Sequence, residues 1–328
     1  MDWLNILNLA VSEMINPISA SFILCALGLS VHFGYTGLLN FGQAAFAGVG
    51  AYAMVIGILT FHLPILLALL FALACSAVFA LILGIPTLRL RADYLAIVTI
   101  ASAEVFRYFM TTIGFSSVTG GASGLSQFGD EFWALNPVTF SGKVGFGPFE
   151  YSARDWFIRI VAWLLIAVSA VFIWLLMRSP WGRVLKSIRE DEDAVRSLGK
   201  NVFAYKLQSL IIGGGLGSLG GMVLVMNFST VAPQNWVTTF TFQIWTVLLL
   251  GGAATILGPI VGGMVLFLLL SLTQSIMSGL VHLGWLPFLT DPQVGQIRFL
   301  LIGLALMLLV IFRPQGIFGN KKELQFNG

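Results

Sequence analysis

Runs of about twenty apolar residues succeed one another along almost the whole of this chain, and that succession narrows the fold more than any motif. They occupy residues 17–35, 38–60, 62–85, 94–115, 156–178, 205–228, 238–255, 256–281 and 297–313. A helix of about 20 apolar residues covers the roughly 30 Å hydrocarbon layer of a bilayer. A chain inside lipid must also satisfy its own backbone N–H and C=O groups, which leaves helices or closed barrels. A barrel would show alternating segments of about ten residues, whereas these runs are twice as long and apolar throughout. Only 9% of the 328 residues are charged, against roughly 25% in a soluble domain. The fold class is therefore all-α: one polytopic transmembrane domain over 1–328 with about nine membrane helices. Glycine and polar residues interrupt 38–60 and 238–255, so each is either a full span or a broken, re-entrant helix. A short amphipathic helix is expected at residues 2–15, and Met1–Pro17 lacks the basic start and apolar core of a cleavable signal.

The charges say which ends face which side. Basic residues gather at Arg89 and Arg91, through 178–206, and at Arg313, Lys321 and Lys322, while 1–16, 229–237 and 281–296 hold no Lys or Arg. The connection 116–155 sets Lys143 and Arg154 against Asp130, Glu131, Glu150 and Asp155. Since cytoplasmic loops carry the excess of Lys and Arg, nine spans with the N-terminus outside place every basic cluster, and the C-terminus, in the cytoplasm. The connection 116–155 is then extracytoplasmic. Cys25 and Cys75 both fall in apolar runs, where a thiol acts as a small hydrophobe; no disulfide is expected.

Chemistry-bearing motifs are sparse. Gly215, Gly217 and Gly220 match a dinucleotide-binding pattern, but they lie inside an apolar run and not after a strand. Gly213, Gly217 and Gly221, like Gly258 and Gly262, repeat every four residues, which lets two helix backbones approach closely in lipid. No phosphate-binding loop occurs; Gly199-Lys200-Asn201 is the nearest fragment and fails at its last position. If ATP drives this protein, another polypeptide binds it. His32, His62 and His282 are far apart and no paired-cysteine motif accompanies them, so neither a metal site nor a catalytic constellation is expected.

Polar groups at membrane depth are functional suspects by default. Glu104 and Arg107 stand three apart on one helix face, as a lining of a permeation path or as a self-neutralising pair that fixes packing. Asn40, Gln43, Gln208, Gln243 and Gln274 are the amides inside apolar runs. They suit either a cavity for small zwitterions or interhelical hydrogen bonds. The path candidates are Asn40, Gln43, Glu104, Arg107 and Gln243.

The long charged stretch, 179–204, forms a different kind of element. Ser179 can cap and Pro180 can start a helix, with Val184, Ile188, Val195 and Leu198 as an apolar stripe and charge over the rest. The run Glu190-Asp191-Glu192-Asp193 disfavours anionic lipid, so a soluble protein is the expected partner.

Several blocks resemble one family of permeases. Gly34-Tyr35-Thr36-Gly37-Leu38-Leu39-Asn40-Phe41-Gly42-Gln43-Ala44-Ala45-Phe46 is similar to the signature of the bacterial ABC importer permeases for branched-chain amino acids. Gly182 to Glu192 and Leu198-Gly199-Lys200-Asn201-Val202 resemble that family's coupling loop, and Gly251 to Pro259 with Arg313 to Gly319 complete the set. Arg89 to Tyr94 and Thr119 to Leu125 look like the M-type of the importer's two permease subunits. The resemblance implies a second related permease, two ATP-binding subunits that hold ATP and Mg, and an extracytoplasmic binding protein, with no cofactor in this chain. It implies ATPase coupling through Arg183, Ile188, Arg189, Glu190, Asp191, Asp193, Ala194, Leu198 and Gly199. Permeases of urea and short-amide importers share most of these blocks, and an ion-coupled carrier using Glu104 is the mechanistic alternative. One departure is Ala254, at a position often held by Gly.

Overall fold

A computed structural model describes residues 3–90, 92–138, 140, 142–145, 147–283, 291–312 and 315–319. Helix α1 (Trp3–Met14) precedes α2 (Pro17–Leu29), which continues as a π-helix over Ser30–Tyr35. Asn16 caps α2 by accepting from the Ile18 N–H at 3.2 Å, and Pro17 occupies the first turn, where its missing N–H costs nothing. Then come α3 (Gln43–Leu59), α4 (Ile65–Thr87) and α5 (Ala92–Thr111). A layer of short elements follows: α6 (Ser116–Thr119), β1 (Leu125–Ser126), α7 (Asp130–Ala134), β2 (Lys143–Val144) and β3 (Tyr151–Ser152). The chain continues through α8 (Ala153–Arg178), α9 (Pro180–Glu190), α10 (Glu192–Ser197), α11 (Val202–Phe228), β4 (Thr230–Val231), α12 (Thr238–Gly251), α13 (Leu257–His282) and α14 (Asp291–Phe312).

Each of the nine apolar runs carries a helix. Among the described residues five are long and apolar enough to cross a bilayer, and the fourth run bends by 64° between 94–111 and 113–119. The two interrupted runs are shorter than full spans. The run 38–60 gives its first residues to an irregular segment and is helical for 17 residues; 238–255 stops at Gly251 after 14. At 1.5 Å per residue these helices reach about 25 and 21 Å, less than the hydrocarbon thickness. They are buried on most sides, and both are flanked by glycine.

Helix α11 is the hub, packed against α2, α3 and α4. Its glycines make that contact. A Cβ on Gly213 would lie 2.5 Å from the Gly28 carbonyl, one on Gly217 2.5 Å from Gln43 Nε2, and one on Gly221 2.0 Å from the Ala47 carbonyl. Gly262 likewise brings α13 to 2.2 Å, by the same measure, from the Val247 carbonyl of α12. The four-residue spacing read from the sequence is thus the seam on which α2 and α3 lie. By contrast, α4 and α8 turn Leu66, Leu70, Ile82, Leu164, Val168 and Phe172 outward, as lipid-facing helices do.

The connections sort to two ends. At one end, Gly34 approaches Ala254, Gly37 approaches Arg189, and the Ile317 and Phe318 N–H groups donate to the carbonyls of Leu250 and Gly251 at 3.0 and 2.9 Å. At the other, β1 pairs with β4, Glu131 accepts from the Ile65 N–H at 3.2 Å, and Gln234 donates to the Ala122 carbonyl at 2.8 Å. This is the sorting that an odd number of crossings requires. Arg313, Lys321 and Lys322, and the Arg91 side chain, lie outside the described residues.

Candidate functional site

The charged stretch folds into two helices set against one end of the membrane domain. Ser179 turns the chain out of α8: its hydroxyl donates to the Leu176 carbonyl at 2.6 Å and accepts from the Gly182 N–H at 3.4 Å. The turn is tight, since a Cβ on Gly182 would fall 2.5 Å from the Met177 Cα. Asp191 starts α10 by accepting from the Ala194 N–H at 2.9 Å, a cap worth about 1 kcal/mol. Gly199, at φ +75°, ends it in the left-handed conformation that suits glycine.

One face of this pair is anchored. Leu185, Ile188 and Val195 are buried together with Tyr35 and Val202, and each apolar side chain removed from water contributes about 1.5–3 kcal/mol. Trp181 donates to Gln208 of α11 at 2.7 Å. Glu192 pairs with Lys206 of α11 and, at 2.8 Å, with Arg196. The Arg189 guanidinium donates to the Gly34 carbonyl, and its stem lies against Gly37, where a Cβ would meet Cγ at 3.2 Å. Gly37 has φ +77°, so glycine serves both the turn and the contact.

The opposite face is free of the membrane domain. Arg183, Glu190, Asp191, Asp193, Ala194 and Gly199 are exposed, and Leu198 is 79% exposed. The expected stripe is therefore split: Ile188 and Val195 are buried, Val184 is half-buried, and Leu198 projects from the far side. It cannot join the stripe because the chain has already entered the Gly199 turn.

The signature block forms a buried polar network where the helix breaks between Tyr35 and Gln43. Asn40 Nδ2 donates to His32 Nδ1 at 3.0 Å and to Gln43 Oε1 at 3.1 Å, while its Oδ1 accepts from the Gly42 N–H at 2.8 Å. Gln43 Nε2 donates to the carbonyls of Cys25 (3.1 Å) and Gly213 (3.3 Å). His32 Nε2 lies 3.2 Å from the Leu210 carbonyl, which assigns the proton to Nε2 and leaves Nδ1 to accept from Asn40. All three side chains are fully buried. Asn40 and Gln43, read as path candidates, hydrogen-bond the break to α2 and α11.

Glu104 and Arg107 form a 2.7 Å ion pair, and Thr238 at the start of α12 donates to the other Glu104 oxygen at 2.6 Å. Arg107 also covers the Tyr108 ring at 4.4 Å. The pair keeps 31% of Glu104 and 20% of Arg107 exposed. Gln243, on α12, opens instead into a pocket with Glu13 and Ser271. The path candidates thus occupy three separate places. Among the described residues no cluster of His, Cys, Asp and Glu has a metal-holding arrangement.

A family model described as the branched-chain amino acid transport system permease component matches residues 14–311. The chain belongs to that family. The high-affinity branched-chain amino acid transport system permease proteins LivM of Salmonella typhimurium and Escherichia coli are each 30% identical over 90% of this chain and 67% of their own length. The nucleoside ABC transporter permease protein NupC of Lactococcus lactis is 26% identical over 73% of the chain and 75% of its own. The permease is a multi-pass membrane protein, and its sequence blocks meet in space: 34–43, 182–199, 251–258 and 315–319 all lie at one end. Sequence reasoning missed His32 and Thr238. The signal for His32 was available, since it stands one turn before the break with Asn40 eight residues on; Thr238, on a distant helix, left none.

Proposed function

We propose that this permease is the M-type subunit of a binding-protein-dependent importer that carries leucine, isoleucine and valine across a bacterial inner membrane. Its N-terminus is outside and its C-terminus cytoplasmic. A second related permease completes the membrane part, two separate ATP-binding subunits hold ATP and Mg, and an extracytoplasmic binding protein delivers the substrate. The observation that carries this reading is the two-faced α9–α10 element, with Leu198 bared on one side and Arg189 fastened to Gly34 on the other. An exposed leucine ringed by Glu190, Asp191, Asp193 and Arg196 suits a pocket with a polar rim on a soluble partner. The substrate reading is supported by the names of the more similar relatives.

The coupling residues then divide by role. Arg183, Glu190, Asp193, Ala194, Leu198 and Gly199 present the docking surface, Asp191 fixes the start of α10, and Ile188 and Arg189 pass displacement to the membrane domain. The partner closes on ATP, the rigid α9–α10 pair moves, and Arg189 moves the segment 34–42. Differential affinity of the two states for ATP and loaded binding protein drives alternating access. Glu104 and Arg107 keep partial exposure at a depth where a charge facing hydrocarbon is costly, so their face is assigned to the second permease and the path.

The deciding experiment purifies the chain in mild detergent from its host and measures ATPase activity with candidate binding proteins. Co-purified ATPase subunits stimulated by a leucine-, isoleucine- or valine-loaded receptor are expected. Stimulation only by a urea, amide or nucleoside receptor would replace the substrate. A lone chain that transports on a proton gradient would overturn the importer reading in favour of an ion-coupled carrier.

A further inference from the structure

The pocket beneath α1 has a chemistry that the coupling element and the ion pair leave unused. It encloses about 430 Å³ between α1, α2, α12 and α13, within the range of about 300–1,000 Å³ typical of small-molecule sites. Its polar lining is one carboxylate, Glu13, with the carboxamides of Gln243 and Gln274 and the hydroxyls of Ser271 and Ser275; Phe22 and Leu270 supply the apolar wall. Among the described residues no lysine, arginine or histidine lines it. Glu13 accepts from Asn16 Nδ2 at 2.8 Å, a neutral donor, and no cation among the described residues lies within ion-pair distance of it. A half-buried carboxylate at the wall of a cavity attracts a cationic ligand group, and more strongly there than in bulk water. Ser271 and Ser275 lie more than half-way along α13 from Leu257, and Gln243 lies five residues into α12. The pocket therefore belongs to the end opposite α9 and α10.

We propose that this pocket binds a primary ammonium group carried on an aliphatic body, with Glu13 taking the ammonium, Gln243 and the two serines taking a neighbouring polar group, and Phe22 and Leu270 packing the aliphatic part. Two sources share that chemistry: a free aliphatic amino acid, and the headgroup of an aminophospholipid with the start of its chains. The inference does not rest on the import reading, because it concerns binding to this chain without binding protein or ATP.

The test uses the full chain in nanodiscs of phosphatidylcholine, with radiolabelled L-leucine followed by scintillation proximity and phosphatidylethanolamine followed by native mass spectrometry. One of the two ligands is expected to bind. 3-Methylbutylamine, which keeps the ammonium and the branched chain, should displace it, whereas 4-methylpentanoate, which lacks the ammonium, should not. Glu13→Gln retains an acceptor for Asn16 and is expected to weaken binding at least tenfold, and Ser271→Val severalfold. Binding to leucine assigns the free amino acid as the source; binding to phosphatidylethanolamine alone assigns the lipid. Undiminished binding by both variants, displacement by 4-methylpentanoate but not by the amine, or no binding of either ligand would each overturn the proposal. None of those results alters ATPase stimulation by a loaded receptor, so failure here leaves the importer reading to its own test.

Discussion

Replacing Arg189 with alanine is expected to separate ATP hydrolysis from transport. The side chain hydrogen-bonds α9 to the segment that begins at Gly34, and its stem packs on Gly37. A hydrogen bond from a charged donor contributes about 1.5–3 kcal/mol. If that energy is what makes the segment 34–42 follow α9, its loss lowers the populated fraction of the coupled state about 10- to 100-fold, at 1.4 kcal/mol per tenfold. Arg189 is not on the exposed docking face, and Leu185, Ile188 and Val195 still seat the helix pair, so the complex should assemble. The assay is leucine moved per ATP hydrolysed, in proteoliposomes holding the whole importer with saturating loaded binding protein. ATPase activity near the parent value with transport reduced at least tenfold is expected. An unchanged transport-to-ATP ratio, with assembly intact, would refute the lever and reduce Arg189 to a packing residue.

Leu198→Ala should act the other way, on assembly: burying an exposed leucine contributes about 2 kcal/mol, so affinity for the ATP-binding subunits should fall about 30-fold while the isolated permease keeps its melting temperature. Gly221→Ala forces a carbon to 2.0 Å from the Ala47 carbonyl; overpacking against backbone should cost about 3 kcal/mol, read as a lower melting temperature, and an unshifted one would contradict the α3–α11 contact. Gln43→Leu takes the acceptor from one Asn40 donor and the second donor from the helical Cys25 and Gly213 carbonyls, about 1–3 kcal/mol for the unpaired donor, and should lower the melting temperature, whereas a path-lining role alone would change transport and spare it. Ala254 holds φ +62°, so Ala254→Gly should stabilise by roughly 0.5–1 kcal/mol; a destabilised variant would contradict that backbone geometry.

Periodicity made the long helices legible because lipid demands length and apolarity from each span separately. It did not disclose where α3 and α12 stop, since Gly37 and Gly252 are as apolar as their neighbours and act through positive φ angles. The glycine spacing of α11 foretold close packing but not the partners, because a repeat names a face and not what meets it. Charge marked the stretch 179–204, and Ser179 and Pro180 marked where its first helix starts. Which side of it was bared depended on the turn at Ser179. Amides at membrane depth remained ambiguous for a physical reason: Asn40 and Gln43 satisfy α2, α3 and α11, whereas Gln243 lines a pocket, and the two fates use the same residue type.

Under the proposed coupling, the segment between Thr36 and Gly42 gives the α9–α10 pair its reach. A continuous helix there would bury its own carbonyls, and Arg189 would find no acceptor on it. The π-helix and the break free the Gly34 carbonyl for Arg189, and Gly37 makes room for the stem. A few residues on, Asn40 and Gln43 return the chain to a fully bonded state against α2 and α11. With those groups satisfied, the proposed coupling would carry a displacement at α9 to the ends of α2 and α3 together. The short α3 can follow because glycine precedes it and its seam with α11 is lined by small residues. In the proposed importer, exposed docking surface, charged link and polar network would thus act in series, and substitution at each should leave a different signature: lost assembly, lost coupling or lost stability.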